Sequence, residues 1–181
     1  MSTSSAVDRY ALAKTALSQI PHPVVIVGAA VGAERSCATS TVMYVSHVPA
    51  LVAIAEHPGS RTHGLIERSR AFSVSILHAA QQDVAMAAGR SGSGADKFAA
   101  LGIATEPPPR PELPPGVAGS IAVLWCELRD ARPTGDHTLF IGEVVVQRID
   151  ETKMDALLRF RRRYLNIGHW TSDVAPEGYP T

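Results

Sequence analysis

The chain has 181 residues and a formal net charge of zero, with 45% apolar and 19% charged residues. That length and balance suit one globular domain with a core that needs no disulfides, and the neutral charge removes any general pull toward nucleic acid or an anionic membrane. Two cysteines, Cys37 and Cys126, with no CxxC and no adjacent histidine pair, speak against zinc and fit a reducing compartment.

The N-terminus lacks a signal-like apolar core, and no apolar run approaches the ~20 residues that span a bilayer, so a soluble cytoplasmic protein is expected. Within residues 1–20, the roughly helical spacing of Val7, Tyr10, Leu12, Ala13 and Leu17 predicts a helix over 7–19. Pro21 and Pro23 end it. The β-branched run PVVIVGAAVG, closed by glycines, reads as a buried strand. After a turn at 32–35 comes CATSTVMYV, a second strand unusually rich in hydroxyls, and then ALVAIAE, a third.

HPGSRTHGLIERS reads as a Pro-Gly turn followed by a helix with Ser60 at its N-cap. AFSVSIL alternates, with Phe72, Val74 and Ile76 on one face, as a half-buried strand does. A short helix over 80–88 precedes a Gly/Ser-rich segment and a helical turn at DKFAAL. The Pro-rich loop 105–119 holds too many prolines to pair within a sheet. SIAVLWCELRDA and HTLFIGEVVVQRI then form two long strands joined by RPTGD, the strongest hairpin signal in the chain. DALLRFRRRYL reads as a terminal helix or an irregular arm, and 168–181 as a tail.

About six strands with hairpin spacing, three or four short helices and no βαβ repeat predict a mainly β fold, an antiparallel barrel with peripheral helices. No GxSxG elbow, GxGxxG loop, Walker A motif or HxxxH pair is present, so metal and nucleophilic-serine chemistry lack support. Two features stand out. Thr39-Ser40-Thr41 crowds hydroxyls on one strand, where a polar heterocycle would use them. Ser60-Arg61-Thr62 opens a helix, and is either a plain N-cap or a phosphate cradle. His137, in the Gly-Asp-His turn, is either a solvated turn residue or a functional one. Arg161 to Arg163 form a solvated face or a small anion site.

The series CATSTVMYVSHVPALVAIAEHPGSRTHGLI, FSVSIL, DKFAALGI, IAVLWCEL and GDHTLFIGEV, from about Pro23 to Gly168, resembles the flavin reductase family of FMN-binding split barrels. These proteins include reductase components of two-component flavin-dependent monooxygenases. The resemblance implies a six-stranded split barrel over 1–181, with FMN or FAD as flavin and NADH or NADPH as hydride donor. It also implies a homodimer, and a partner monooxygenase that receives reduced flavin.

Carried over by position, Thr39, Ser40 and Thr41 would line the isoalloxazine and ribityl chain. Ser60, Arg61 and Thr62 would hold the flavin phosphate, and Ser75, Ile76 and Leu77 would pass along its other side. His137 matches the family's nicotinamide-binding or hydride-transfer residue. Phe98, beside Lys97, matches a Lys-Phe pair near the same site, and Tyr164 the tyrosine of a C-terminal arm. The chain departs from the family pattern at Ser75, where Asn is more usual, and at Val48-Pro49-Ala50, which stands for a double proline. Two other readings remain open: an enzyme that retains its flavin and acts on its own substrate, with the Pro-rich loop as lid, and a non-enzymatic flavin- or haem-binding barrel.

Overall fold

The computed structural model describes residues 9–90, 92 and 94–167. Val7, in the predicted first helix, and the tail 168–181 lie outside them. Seven strands form one antiparallel sheet: β1 (Val25–Val31), β2 (Glu34–Ser40), β3 (Val42–Ser46), β4 (Leu51–Glu56), β5 (Ala71–Ile76), β6 (Ala122–Thr134) and β7 (His137–Ile149). Their order across the sheet is β2-β1-β5-β6-β7-β4-β3.

The count is seven rather than the expected six, and one residue accounts for the difference. The segment read as one strand over 37–45 changes partners at Thr41: Ser40 pairs with Val25 of β1, and Val42 pairs with Ile54 of β4. The two edges of the sheet are thus consecutive in sequence. Such a sheet must coil to bring its two edges together at Thr41, although no ladder joins β2 to β3. The Ser40 hydroxyl of β2 reaches across to β4, donating to the Ala55 carbonyl at 3.3 Å. The barrel is split, not closed.

Inside it pack Val25, Val27, Ile54, Leu65, Ile66, Phe72, Val74 and Phe140, with Leu65 and Ile66 supplied by α2 (Arg61–Ser69). A second apolar layer, including Ile26, Cys37, Leu77 and Phe98, lies under α3 (Gln82–Ala88) and α4 (Lys97–Ala100). Helix α1 (Arg9–Leu17) precedes β1. Burying a side chain of Leu or Phe size contributes about 1.5–3 kcal/mol, so these layers outweigh the weak local propensities of short strands.

Two strand expectations are corrected by what covers the sheet. β5 is buried from Ala71 through Ser75 rather than on one face, because the Pro-rich loop packs over its other side. Ser73 donates to the Pro115 carbonyl at 2.8 Å, Ser75 accepts from the Val117 amide at 2.9 Å, and Trp125 donates to the Pro114 carbonyl at 2.9 Å. The loop even pairs with itself, Thr105 with Val117 and Glu106 with Gly116. The terminal segment is neither helix nor irregular arm. Leu158–Phe160 and Arg163–Leu165 form a hairpin that adds to His22–Pro23 as a small sheet. Its turn places Arg161 and Arg162 at φ 48° and 66°, a left-handed conformation uncommon outside glycine.

The β6–β7 hairpin is longer and tighter than predicted. Arg132, Pro133 and Thr134 belong to β6, and the turn is Gly135-Asp136 alone, with Thr134 opposite His137. Gly135 supplies the φ of +65° that a two-residue hairpin turn requires. Further along β7, beside a register shift, Gly142 lies against the core: an added Cβ would overlap Phe72 Cζ and sit 2.9 Å from Cys126 Cβ. Gly142→Ala is therefore expected to destabilise the fold by about 1–3 kcal/mol through overpacking. Urea denaturation checks this, and an unchanged midpoint would contradict it.

Candidate active site

Thr39 borders three adjoining clefts that together make one groove. The first, of about 380 Å3, is lined by residues including Ser36, Ser60, Arg61, Thr62 and Lys97. In the second, of about 360 Å3, Thr39 is joined by Ser40, Thr41, His137, His22 and Arg159. The third, of about 400 Å3, includes Ala85, Gly89, Arg90, Arg159 and Tyr164.

The first cleft is built on the start of α2. Ser60 is extended (φ −80°, ψ 145°), and its hydroxyl oxygen accepts from the His63 amide at 3.1 Å, a capping bond that leaves the Ser60 hydroxyl proton available. The first-turn amides have no intrahelical acceptor, so the helix start favours an anion. Thr62 is buried, its hydroxyl 3.0 Å from that of Ser36. Arg61 bonds to the carbonyls of Gly94 and Ala95 and lies 3.9 Å from Glu34, which fixes its guanidinium along the rim. Lys97 is buried to the head group, donates to the Ala88 carbonyl at 2.8 Å, and has its pKa lowered by burial.

The second cleft answers what the Gly-Asp-His turn presents. His137 Nδ1 lies 2.8 Å from Asp136 Oδ1, and that hydrogen bond lowers the Asp136 pKa. With Nδ1–H donating to the carboxylate, Nε2 is left as the free ring nitrogen. The ring meets His57 edge-on at 5.9 Å. His57 is itself held in the Pro-Gly turn by accepting the Gly59 amide at 3.0 Å. Thr39 donates to the Ala85 carbonyl at 2.5 Å, so toward the groove it offers lone pairs. In the third cleft the Arg159 guanidinium lies 5.7 Å from the Tyr164 ring centroid, and the short terminal hairpin forms the wall.

Of the residues singled out in the sequence, Thr39, Ser40, Thr41, Ser60, Arg61, Thr62, His137 and Tyr164 all border this groove. Ser75, Ile76, Leu77 and Phe98 border none of its three clefts. The Ser75 hydroxyl is engaged with Val117, while Leu77 and Phe98 are core residues. The Pro-rich loop lines a separate cleft with Ala30 and Arg35. Burial pushes the Cys37 thiol up to about 11 and the Cys126 thiol up to about 12, so neither presents a thiolate. Among the described residues no group of three or more His, Cys, Asp or Glu could hold a metal ion, and no helix is long and apolar enough to cross a membrane.

Sequence reasoning passed over Arg90, Arg159 and, most notably, Glu56. Glu56 ends β4 opposite Thr138, the neighbour of His137, and is only 5% exposed. Its Oε1 is a buried side-chain polar atom without a hydrogen-bond partner among the described residues. Burial pushes the carboxyl up to about 7, against the lowering effects of a hydrogen bond from Ser40 and the nearby charges of His137 and Lys97. One signal was legible: in ALVAIAE the acid keeps phase with the inward residues Val52 and Ile54.

A model of the flavin reductase like domain matches residues 17–168. The reductase component of 4-hydroxyphenylacetate 3-monooxygenase from Thermus thermophilus is 33% identical over 156 residues, covering 85% of this chain and 94% of that protein. A Pyrococcus abyssi protein is 32% identical over 115 residues, 63% of this chain and 65% of the relative, so the chain spans just under two thirds of that one. Among solved structures, the NADH:FAD oxidoreductase SgcE6 of Streptomyces globisporus C-1027 superposes with a TM-score of 0.81 at 25% identity, over 93% of this chain and 99% of the other. The flavin reductase PheA2 gives 0.76 at 26% identity, over 91% and 100%.

A carboxyl raised from 4.5 in the unfolded chain to about 7 in the folded one stabilises the fold most below the lower value, and that stability is lost as pH rises through the upper. Glu56→Gln, which does not titrate, should therefore gain on the wild type as pH rises. The relative gain should reach about 3 kcal/mol above pH ~7.5 and vanish near pH ~4. Chemical denaturation across that range checks the sign; a constant difference would contradict it.

Proposed function

The chain belongs to the flavin reductase-like domain family, and from that premise we propose that it is an NAD(P)H:flavin oxidoreductase supplying reduced flavin to a partner monooxygenase. The observation that carries this reading is a pair of clefts that meet at Thr39, one on the α2 N-terminus and the other lined by Ser40, Thr41 and His137. An anionic tail at one end, a polar ring in the middle and a second ring at the other end match their chemistry. Relatives named as reductase components of monooxygenases, and a structural neighbour named as an NADH:FAD oxidoreductase, support the pairing of flavin with nicotinamide. The proposal takes FMN or FAD as the flavin and NADH or NADPH as the donor.

A flavin held here would supply the hydride acceptor for a nicotinamide donor; the chain's residues bind, align and exclude water. At the α2 start, the free amides and the Ser60 and Thr62 hydroxyls receive the phosphate, and Arg61 sets the rim charge. Thr39, Ser40 and Thr41 hold the ring and ribityl chain in register. His137, braced by Asp136, orients the nicotinamide through Nε2, so the main contribution is proximity rather than nucleophilic catalysis. Ser75, Ile76, Leu77 and Phe98 shape the site from behind, by packing.

A homodimer belongs to the same proposal. Strand β3 is an outer edge with Met43 at 60%, Tyr44 at 62% and nearby Val48 at 92% exposure, an apolar edge that a second copy would cover.

His137→Ala should slow NAD(P)H oxidation at least about tenfold and leave the flavin dissociation constant nearly unchanged, the division expected of a residue that positions only the donor. Steady-state kinetics beside a fluorescence titration separates the two; unaltered turnover would remove His137 from the reaction. Ser60→Gly keeps the helix start within a few tenths of a kcal/mol. It should nevertheless weaken FMN binding by about 1.5–3 kcal/mol for the lost hydrogen bond to a charged group. An unchanged dissociation constant would move the phosphate elsewhere.

A further inference from the structure

Among the described residues, the buried side-chain polar atom without a hydrogen-bond partner is Oε1 of Glu56, a residue 5% exposed. It stands directly behind the groove. Close to it is the Ser40 hydroxyl, which acts to lower the Glu56 pKa and lines the second cleft with His137 and Thr41. The Ser40 hydroxyl has one proton, donated to the Ala55 carbonyl at 3.3 Å, and an ionised Glu56 carboxylate beside it offers that proton a competing acceptor.

We propose that Glu56 is a positioning residue that sets the hydrogen-bonding sense of Ser40 and thereby couples flavin binding to proton uptake. When Glu56 is ionised, the Ser40 proton is drawn to the carboxylate and the hydroxyl turns away from the groove as a donor. When Glu56 is neutral, its own O–H donates to Ser40 Oγ, and the Ser40 proton is free for an acceptor on the ligand, a ring carbonyl or ring nitrogen of the flavin. A ligand that accepts from Ser40 therefore binds the protonated protein more tightly, and by linkage its binding raises the proton affinity of Glu56. This rests on the flavin-reductase reading of the groove and adds to it the group that makes binding pH-dependent.

Burial pushes the Glu56 carboxyl up to about 7, so both states are populated near neutral pH. The groups around it are His137 on β7, Lys97 on α4, His57 next in the chain, and His63 of α2, whose Nε2 bonds to Thr138 Oγ1 at 2.8 Å on the strand opposite Glu56. Lys97 and His137 oppose the upward shift when charged. Thr138 is occupied by His63, which leaves Ser40 as the hydroxyl that Glu56 commands.

The test uses FAD, whose diphosphate and ring keep one charge between about pH 6 and about pH 8.5. Its dissociation constant is measured across that range for the wild type, Glu56→Gln, Ser40→Ala and His137→Gln, with calorimetry in two buffers of different ionisation enthalpy to count protons. Wild type should bind at least about fivefold more weakly at the upper end and take up a fraction of a proton, as linkage to one titrating group requires. Glu56→Gln, whose amide donates to Ser40 at every pH, should bind tightly with a flat profile. Ser40→Ala should be flat and weaker, and His137→Gln should keep the wild-type slope. A flat wild-type profile, or a Glu56→Gln profile as steep as the wild type's, would overturn the proposal while leaving the flavin site intact. Absence of flavin binding at every pH would overturn both the proposal and the reading it rests on.

Discussion

The change of strand partners at Thr41 is the constraint on which the rest of the molecule depends. One segment serves as both edges of a seven-stranded sheet, pairing with β1 before Thr41 and with β4 after it. Coiling follows from that connectivity, and so does the groove. The hydroxyls of 39–41 lie on the seam, the end of β4 leads into the turn that starts α2, and the β6–β7 hairpin brings its turn against the same seam. Sites at the ends of strands and the starts of helices gain exposed backbone groups at little cost to the core.

The groove is defined as much by occupied hydrogen bonds as by open ones. Thr39 donates to Ala85, Ser60 caps α2, Thr62 faces Ser36 and Lys97 holds the Ala88 carbonyl. Each bond fixes a side chain in one rotamer and leaves a specified lone pair or proton for a ligand, which is how a rigid site achieves alignment without a reactive base. Against this background the unpaired oxygen of Glu56 stands apart. A buried carboxyl without a full set of partners costs stability, and the wall of a binding groove is where such a cost has a compensating use.

Much of this was legible in the sequence. Ser60 as N-cap follows from the Pro-Gly-Ser run ahead of an amphipathic helix, and the long hairpin from its alternation. The hydroxyl strand pointed to the groove because a core would have had no use for it. Other parts depend on tertiary partners that no local pattern encodes. β5 alternates like a half-buried strand, yet the Pro-rich loop covers its second face and takes up Ser73 and Ser75. The terminal RFRRRYL has helix-like composition but becomes a hairpin because His22–Pro23 offers a free edge. Thr41 is unremarkable in one dimension; its role appears only when both neighbouring ladders are known.

The central claim is that this groove passes reducing equivalents from a nicotinamide to a flavin. Consumption of NADH and of NADPH by the purified protein in air, without flavin and with FMN or FAD added, tests it most directly. Turnover that appears or rises with added flavin is the predicted result, and the productive pair identifies both cofactors. A folded protein that oxidises neither nicotinamide under any combination would contradict the account.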